Sequence, residues 1–139
     1  MKLAILFFCY KKAAVCKNRL RILRRHNPSA AIFGLYGGAV EQGPVFESEL
    51  APLLDDFFCF DLDRDMSWKW ENGDLLISEW FRRRGRFLEW DTVVLAQWDA
   101  LIFGNICNLF GELRQGEMLL SGLREVAEVY AHWWWTRPD

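Results

Sequence analysis

Apolar runs and helically spaced apolar positions follow one another along the first part of the chain. Leu3–Tyr10 is a continuous apolar run, which is typical of a strand buried on both faces. Residues 11–26 change to helical spacing, and Asn27-Pro28 ends the helix that this spacing predicts. Ala30–Tyr36 is a second apolar run, closed by two glycines. A strand, a helix of about four turns and a second strand predict a right-handed βαβ unit with parallel strands.

The middle of the chain predicts one more strand and one more helix. Asp56–Asp61 is a short strand bounded by carboxylates, and the polar segment 62–73 is interpreted as a loop. Asp74 is placed to cap a helix over Leu75–Arg84. The side chains of that helix expected to face inward are Leu76, Trp80 and Phe81.

A fourth strand, over Thr92–Gln97, completes the pattern of an open α/β fold. We therefore expect a mainly parallel sheet with flanking helices, Rossmann-like in its order of elements. Residues 1–139 are expected to form a single domain, either whole or as the N-terminal part of a longer one. Further helices are predicted near residues 108–115 and 121–132.

Composition narrows the classes of function. Hydrophobic residues make up 52% of the 139, enough for a packed core, and the net charge of −2 gives no basic excess for binding nucleic acid. No apolar run approaches the roughly 18 residues of a membrane span. The four cysteines contain no C-x-x-C pair, so a zinc site is not expected. We expect a cytoplasmic protein with reduced cysteines.

Tryptophan is the unusual residue, with eight in the chain. Most are expected in the core, but Trp133, Trp134 and Trp135 are consecutive near the C-terminus, and three adjacent rings cannot all face one core. They predict an interface, either in a homo-oligomer or with a C-terminal part that follows this sequence.

Candidate chemistry is sought at the carboxyl ends of the strands, where open α/β sheets bind ligands. Asp61 and Asp63 follow the third strand, and Asp99 follows the fourth. Carboxylate oxygens are ligands for divalent cations, which usually stand beside phosphates. Carboxylates in these positions are therefore candidates for holding a metal–diphosphate.

The segment Asp61–Asp65 leaves alternatives open. An EF-hand is excluded, because the sixth position of the loop is Met66 and the twelfth is Asn72. A phosphatase of the haloacid-dehalogenase type would use Asp61 as nucleophile and Asp63 as acid/base, although Asp65 stands where that family has Thr or Val. Solvated turn carboxylates, partly neutralised by an adjacent arginine, are the simplest alternative.

The chain resembles the nucleotide-sugar half of a GT-A glycosyltransferase. The resemblance rests on the apolar strand Ala4–Cys9, the helix Asn18–Arg25 leading into Ala30–Tyr36, and above all the strand and turn from Asp91 to Asp99. In that fold a strand ends in a D-x-D motif whose last aspartate helps to hold the metal and the nucleotide diphosphate. Gln97 occupies the first position of the motif here, so only Asp99 is carried over.

The resemblance implies a nucleotide-sugar donor, an acceptor that it does not identify, and a divalent cation, Mn²⁺ or Mg²⁺, at Asp99. It implies that Asp61 or Asp63 contacts the nucleoside or the metal, and that the end of the first strand forms the floor under the base. It does not identify a catalytic base. The residues expected to bind the nucleotide sugar are Cys9, Tyr10, Asp61, Asp63, Gln97 and Asp99.

A third possibility, besides the transferase and the phosphatase, is a non-catalytic α/β module. Such a module would dock a partner through its Trp-rich end. Substitution of the aspartates separates the three classes. The first two require different aspartates for ligand binding, and the third requires none.

Overall fold

Four parallel strands form a single sheet. The structure is a computed structural model that describes residues 2–114 and 116–118. Its strands are β1 Leu3–Cys9, β2 Ala31–Tyr36, β3 Asp56–Cys59 and β4 Thr92–Gln97. They lie in the order β3-β2-β1-β4, and every neighbouring pair is parallel. The predicted open, Rossmann-like α/β fold is confirmed.

Helices cover both faces of this sheet. One face carries α1 Ala13–His26, α2 Gly43–Leu50 and the short α5 Ile106–Phe110, and the other carries α3 Met66–Glu71 and α4 Gly73–Arg83. Within residues 2–114 and 116–118, no helix is both long and apolar enough to cross a membrane. The helix predicted at 121–132 and the cluster Trp133–Trp135 lie outside the described residues.

The alternation of side chains along β1 divides the core into two layers. Ile5 and Phe7 pack with α1 on one face, whereas Ala4 and Leu6 pack with α4 on the other. All four are at most 1% exposed, as a strand covered on both faces requires. The continuous apolar run in the sequence is therefore explained by helices on both sides of one strand.

The direction of the chain across the sheet reverses once. From β1 it moves outward through β2 to β3, and it then crosses the other face through α3 and α4 to reach β4, beside β1. The carboxyl ends of β1 and β4 thus flank the topological switch point, where open α/β sheets form their ligand crevice.

The interpretation of residues 62–73 as a loop was wrong. Met66–Glu71 forms α3, because the Asp65 carboxylate accepts a hydrogen bond from the Trp68 backbone N–H at 2.8 Å and caps the first turn. The Trp68 ring packs against the core layer under α4. Capping and ring burial together stabilise a helix that is too short to show a periodic pattern.

The next helix begins earlier than predicted and buries fewer rings. Gly73 is its first residue, and Asp74 lies in the first turn instead of capping it. Leu76 and Trp80, four residues apart, are at most 1% exposed, but Phe81 is 46% exposed. The next position on a helix points about 100° away, so Phe81 reaches only the edge of the layer, where its ring meets Trp90.

A buried asparagine joins α1 to the segment after β4. The Asn27 side chain is 1% exposed and donates to the carbonyl oxygens of Leu23 at 3.1 Å and Gly104 at 3.0 Å. Its Oδ1 accepts from the Ile106 backbone N–H at 2.7 Å. The bonds to Gly104 and Ile106 therefore hold the start of α5 against the end of α1.

We expect Asn27→Ala to lower the free energy of unfolding by about 3 kcal/mol, because it leaves buried backbone groups without partners. Urea denaturation of the full chain measures the loss. Asn18→Ala is the matched control, since Asn18 is exposed on the same helix, and its effect should stay within about 0.5 kcal/mol. Equal losses in the two variants would contradict this role for Asn27.

Candidate functional site

A cavity of about 260 Å³ opens at the switch point. The ends of β1 and β4 form one side of it, and α3 with the first turn of α4 forms the other. Its lining includes Phe8, Tyr10, Gly37, Lys69, Trp70 and Gln97. The topology of the sheet thus places a largely apolar cavity, with three aromatic rings in its lining, where this class of fold binds its ligands.

One of the two glycines of the lining lets the backbone approach the floor of this cavity closely. A Cβ at Gly37 would lie 2.8 Å from the Phe8 ring, too close for any real side chain, whereas a Cβ at Gly73 would lie 3.8 Å from that ring, an ordinary contact. The Gly37 backbone N–H donates to the Cys9 carbonyl at 2.9 Å, which continues the β1–β2 ladder to the rim. The loop after β2 is therefore pressed against Phe8.

An open groove of about 730 Å³ continues from the cavity. The two share Tyr10, Met66 and Trp70, so these side chains form the boundary between an enclosed part and an exposed part. Lys11 and Lys12 line the groove and supply positive charge along it. The site thus has an aromatic, enclosed end and a basic, open end.

Tyr10 is held in place by its neighbours. Its ring packs edge-on against Trp98 with centroids 5.8 Å apart, and the Lys11 ammonium lies 5.0 Å from the Tyr10 ring and 5.3 Å from Trp98. Such cation–π contacts are worth about 0.5–1 kcal/mol at exposed positions. The ring at the end of β1 is therefore positioned before any ligand binds.

Three polar side chains reach the cavity from different elements. Lys69 comes from α3, Asp74 from the first turn of α4 and Gln97 from the end of β4. Lys69 is a hydrogen-bond donor with positive charge, the Asp74 carboxylate is an acceptor, and the Gln97 amide is both. The cavity can therefore recognise an anion together with hydroxyl groups.

The structure brings together two of the residues that the sequence predicted to bind nucleotide sugar, Tyr10 and Gln97. Cys9 points to the opposite face of the sheet, where it is fully buried under α1. A hydrogen bond with the Cys16 thiol, followed by burial, raises the pKa of Cys9 well above its ordinary value. Cys9 therefore supports the core beneath the site and does not line the cavity.

Asp61 and Asp63 lie outside the cavity. Both oxygens of the Asp61 carboxylate accept hydrogen bonds from the Arg83 guanidinium, at 2.8 and 3.1 Å, and this contact lowers the pKa of Asp61. Asp63 is exposed. The bidentate contact holds Asp61 in an ionised state but occupies the oxygens that a nucleophilic carboxylate would need.

Asp61 and Asp99 cannot bind one divalent cation together. Asp99 is exposed beyond β4, and Asp61 follows β3 at the other edge of the sheet, three strand spacings or roughly 14 Å away. Cation–oxygen distances of about 2.0–2.6 Å cannot bridge that gap. Across the described residues, no three His, Cys, Asp or Glu side chains are grouped as a metal site.

Sequence reasoning missed the wall formed by Met66, Lys69 and Trp70. They were assigned to a loop, whereas they project from α3 into the cavity. The signal was the N-cap Asp65, followed by the helix-favouring residues Met66, Lys69 and Glu71. Asp74 was considered only as a helix cap.

The chain matches no model of a known protein family, and no curated protein matches it. The function is therefore argued from the geometry of the site.

Gly38, in the loop after β2, tests how tightly this loop packs at the rim of the cavity. A Cβ there would lie 2.5 Å from the Tyr10 carbonyl oxygen and closer still to the hydroxyl of Tyr36. That hydroxyl donates to the Ala39 carbonyl at 3.1 Å, and burial raises the pKa of Tyr36 to about 12. The backbone of this loop therefore packs against a buried phenol that stays protonated at neutral pH.

We expect Gly38→Ala to destabilise the fold by about 1–3 kcal/mol, the usual cost of overpacking. Gly73→Ala is the matched control at the same cavity, because its Cβ has room and alanine favours a helix, so stability should be unchanged or higher. Thermal unfolding of both variants measures the difference. Equal melting temperatures would show that the loop moves freely away from Tyr36.

Proposed function

We propose that this chain binds a nucleotide diphosphate sugar in the switch-point cavity and its adjoining groove, as the donor-binding part of a GT-A-like glycosyltransferase. The observation that carries the proposal is the cavity itself, with aromatic walls and three convergent polar groups between the ends of β1 and β4. Its position agrees with the general rule for ligands of open α/β sheets.

The size and division of the site fit a ligand with distinct parts. The enclosed cavity of about 260 Å³ is smaller than the roughly 300–1,000 Å³ typical of whole ligand sites, but the groove adds an open region of about 730 Å³. A nucleotide sugar has a flat base, a charged diphosphate and a polar sugar. The site offers aromatic rings, ammonium groups and acceptors for hydroxyls.

Each part of the ligand has a chemical counterpart. Tyr10 and Trp70 offer rings against which a base can stack. Lys11 and Lys12 along the groove favour an anion, and Asp74 and Gln97 can accept or donate hydrogen bonds to hydroxyl groups. This combination favours a nucleotide sugar over an uncharged apolar ligand.

In the transfer that we propose, an acceptor oxygen bonds to the anomeric carbon of the donor sugar. The bond from that carbon to the diphosphate breaks, the nucleoside diphosphate leaves with the electron pair, and the acceptor's proton passes to solvent. The phosphatase alternative receives less support, because Arg83 engages both oxygens of Asp61 outside the cavity. The Trp-rich end on which the interaction module depends lies outside the described residues.

We expect isothermal titration calorimetry of the full chain to detect at least one member of a panel of nucleotide diphosphate sugars. Tyr10→Ala should weaken that binding about 5- to 150-fold, since stacking on an aromatic side chain contributes about 1–3 kcal/mol per base. Tyr10→Phe keeps the ring and should bind within about threefold of the unchanged chain, a difference of about 0.7 kcal/mol.

Phe87→Ala is the control for a general loss of aromatic area. Phe87 is 70% exposed beyond the C-terminal end of α4, whereas the cavity lies at the beginning of that helix. Its removal should leave binding unchanged. Failure of every nucleotide sugar to bind would reject the proposal, and equal effects of Tyr10→Ala and Phe87→Ala would place the ligand elsewhere.

A further inference from the structure

Lys69 is a buried ammonium group at the wall of the cavity. The residue is 2% exposed, and its Nζ donates to the Gly38 carbonyl oxygen at 2.7 Å. The same nitrogen lies 5.7 Å from the centre of the Phe60 ring. Among the ion pairs of the described residues, none joins Lys69 to a carboxylate.

These contacts satisfy the ammonium only in part. Lysine has three N–H donors and no acceptor, and one carbonyl oxygen takes one of the donors. An aromatic face attracts a cation but does not neutralise it. Removing an ammonium from water is costly unless a negative group compensates for the lost hydration. The buried charge therefore favours an anion in the cavity beside it.

The cavity is the side from which that anion can approach. Lys69 lines it together with Met66 and Trp70 of the same helix, and Gly38, which accepts its hydrogen bond, follows the cavity residue Gly37. The first turn of α4, at Gly73 and Asp74, forms a neighbouring wall. The Asp74 carboxylate in that turn offsets the partial positive charge of the helix N-terminus, so the positive charge at the cavity comes from Lys69.

Lys69 also has what Asp99 lacks, namely burial and a place in the cavity wall. Asp99 is exposed, and the aspartates after β3 are at the far edge of the sheet. We infer that Lys69 holds the diphosphate of the ligand, so that binding does not require a divalent cation. The inference rests on the proposed function for the rest of the ligand, but the pairing of lysine with diphosphate can be tested by itself.

The test uses inorganic pyrophosphate and the panel of nucleotide diphosphate sugars, each titrated calorimetrically into the full chain with EDTA, with Mg²⁺ and with Mn²⁺. We expect pyrophosphate to bind in EDTA, with an affinity within about twofold of that in either metal. Lys69→Met should weaken pyrophosphate binding at least tenfold. Lys2→Met, the control, removes an exposed lysine at the opposite end of β1 from the cavity and should weaken it less than threefold in 0.15 M salt.

Two further measurements separate binding from folding. Lys69→Arg keeps the positive charge. It should bind pyrophosphate more tightly than Lys69→Met does, and the two variants should have equal melting temperatures. In the unchanged chain, pyrophosphate should raise the melting temperature, and this protection against unfolding should be lost in Lys69→Met. A purely structural bond from Lys69 to Gly38 would give lower stability in Lys69→Met without any such protection.

The outcomes distinguish this inference from the proposed function. Pyrophosphate binding that depends on Lys69, with no nucleotide sugar bound, would reject the proposed function and support the inference. Nucleotide-sugar binding that is lost in EDTA, or is equal in Lys69→Met and the unchanged chain, would overturn the inference and leave the proposed function. Failure of both ligands to bind would reject both.

Discussion

Strand β1 is hydrogen-bonded along both edges, to β2 on one side and to β4 on the other, and helices cover both of its faces. No side chain of its buried centre can reach water, so the run Ala4–Phe7 has to be apolar throughout. Both neighbouring strands and the core layers on both faces pack directly against this strand. The direction reversal beside it separates the carboxyl ends of β1 and β4 from the remaining connections and creates the cavity.

The chemistry of the site depends on the residues that pack over β1 on the face of the sheet covered by α3 and α4. Helices α3 and α4 cover that face, and the cavity lined by Phe8 lies between them and the ends of β1 and β4. The glycines after β2 bring their backbone against Phe8 and Tyr36 without filling that space. A buried lysine costs more free energy than an apolar side chain that packs equally well, because its ammonium has to be removed from water. The position of Lys69 beside the cavity is the feature that gives the site a preference for negative charge.

Much of the sheet could be predicted from local pattern. The apolar runs gave all four strands to within a few residues, and parallel pairing of β1 with β2 followed from the length of the connecting helix. Tyr10 and Gln97 were predicted for the site because they follow buried strands, and both line the cavity. The neighbouring Cys9 was assigned to the same site, but side chains alternate along a strand and that residue faces α1.

The sequence by itself determined which segments are strands and at which edge of the sheet the candidate site lies, because burial on both faces and the rule for strand ends are properties of single segments. Only the tertiary structure decided which carboxylates meet. Asp61 and Asp99 both follow strands, yet they stand at opposite edges, since β4 pairs with β1 and not with β3. The contribution of Lys69 was decided in the same way. Helix α3 is held by a cap and by ring packing, and it is too short for its sequence to show a helical period. Its Lys69 becomes a site residue only through contact with the loop after β2.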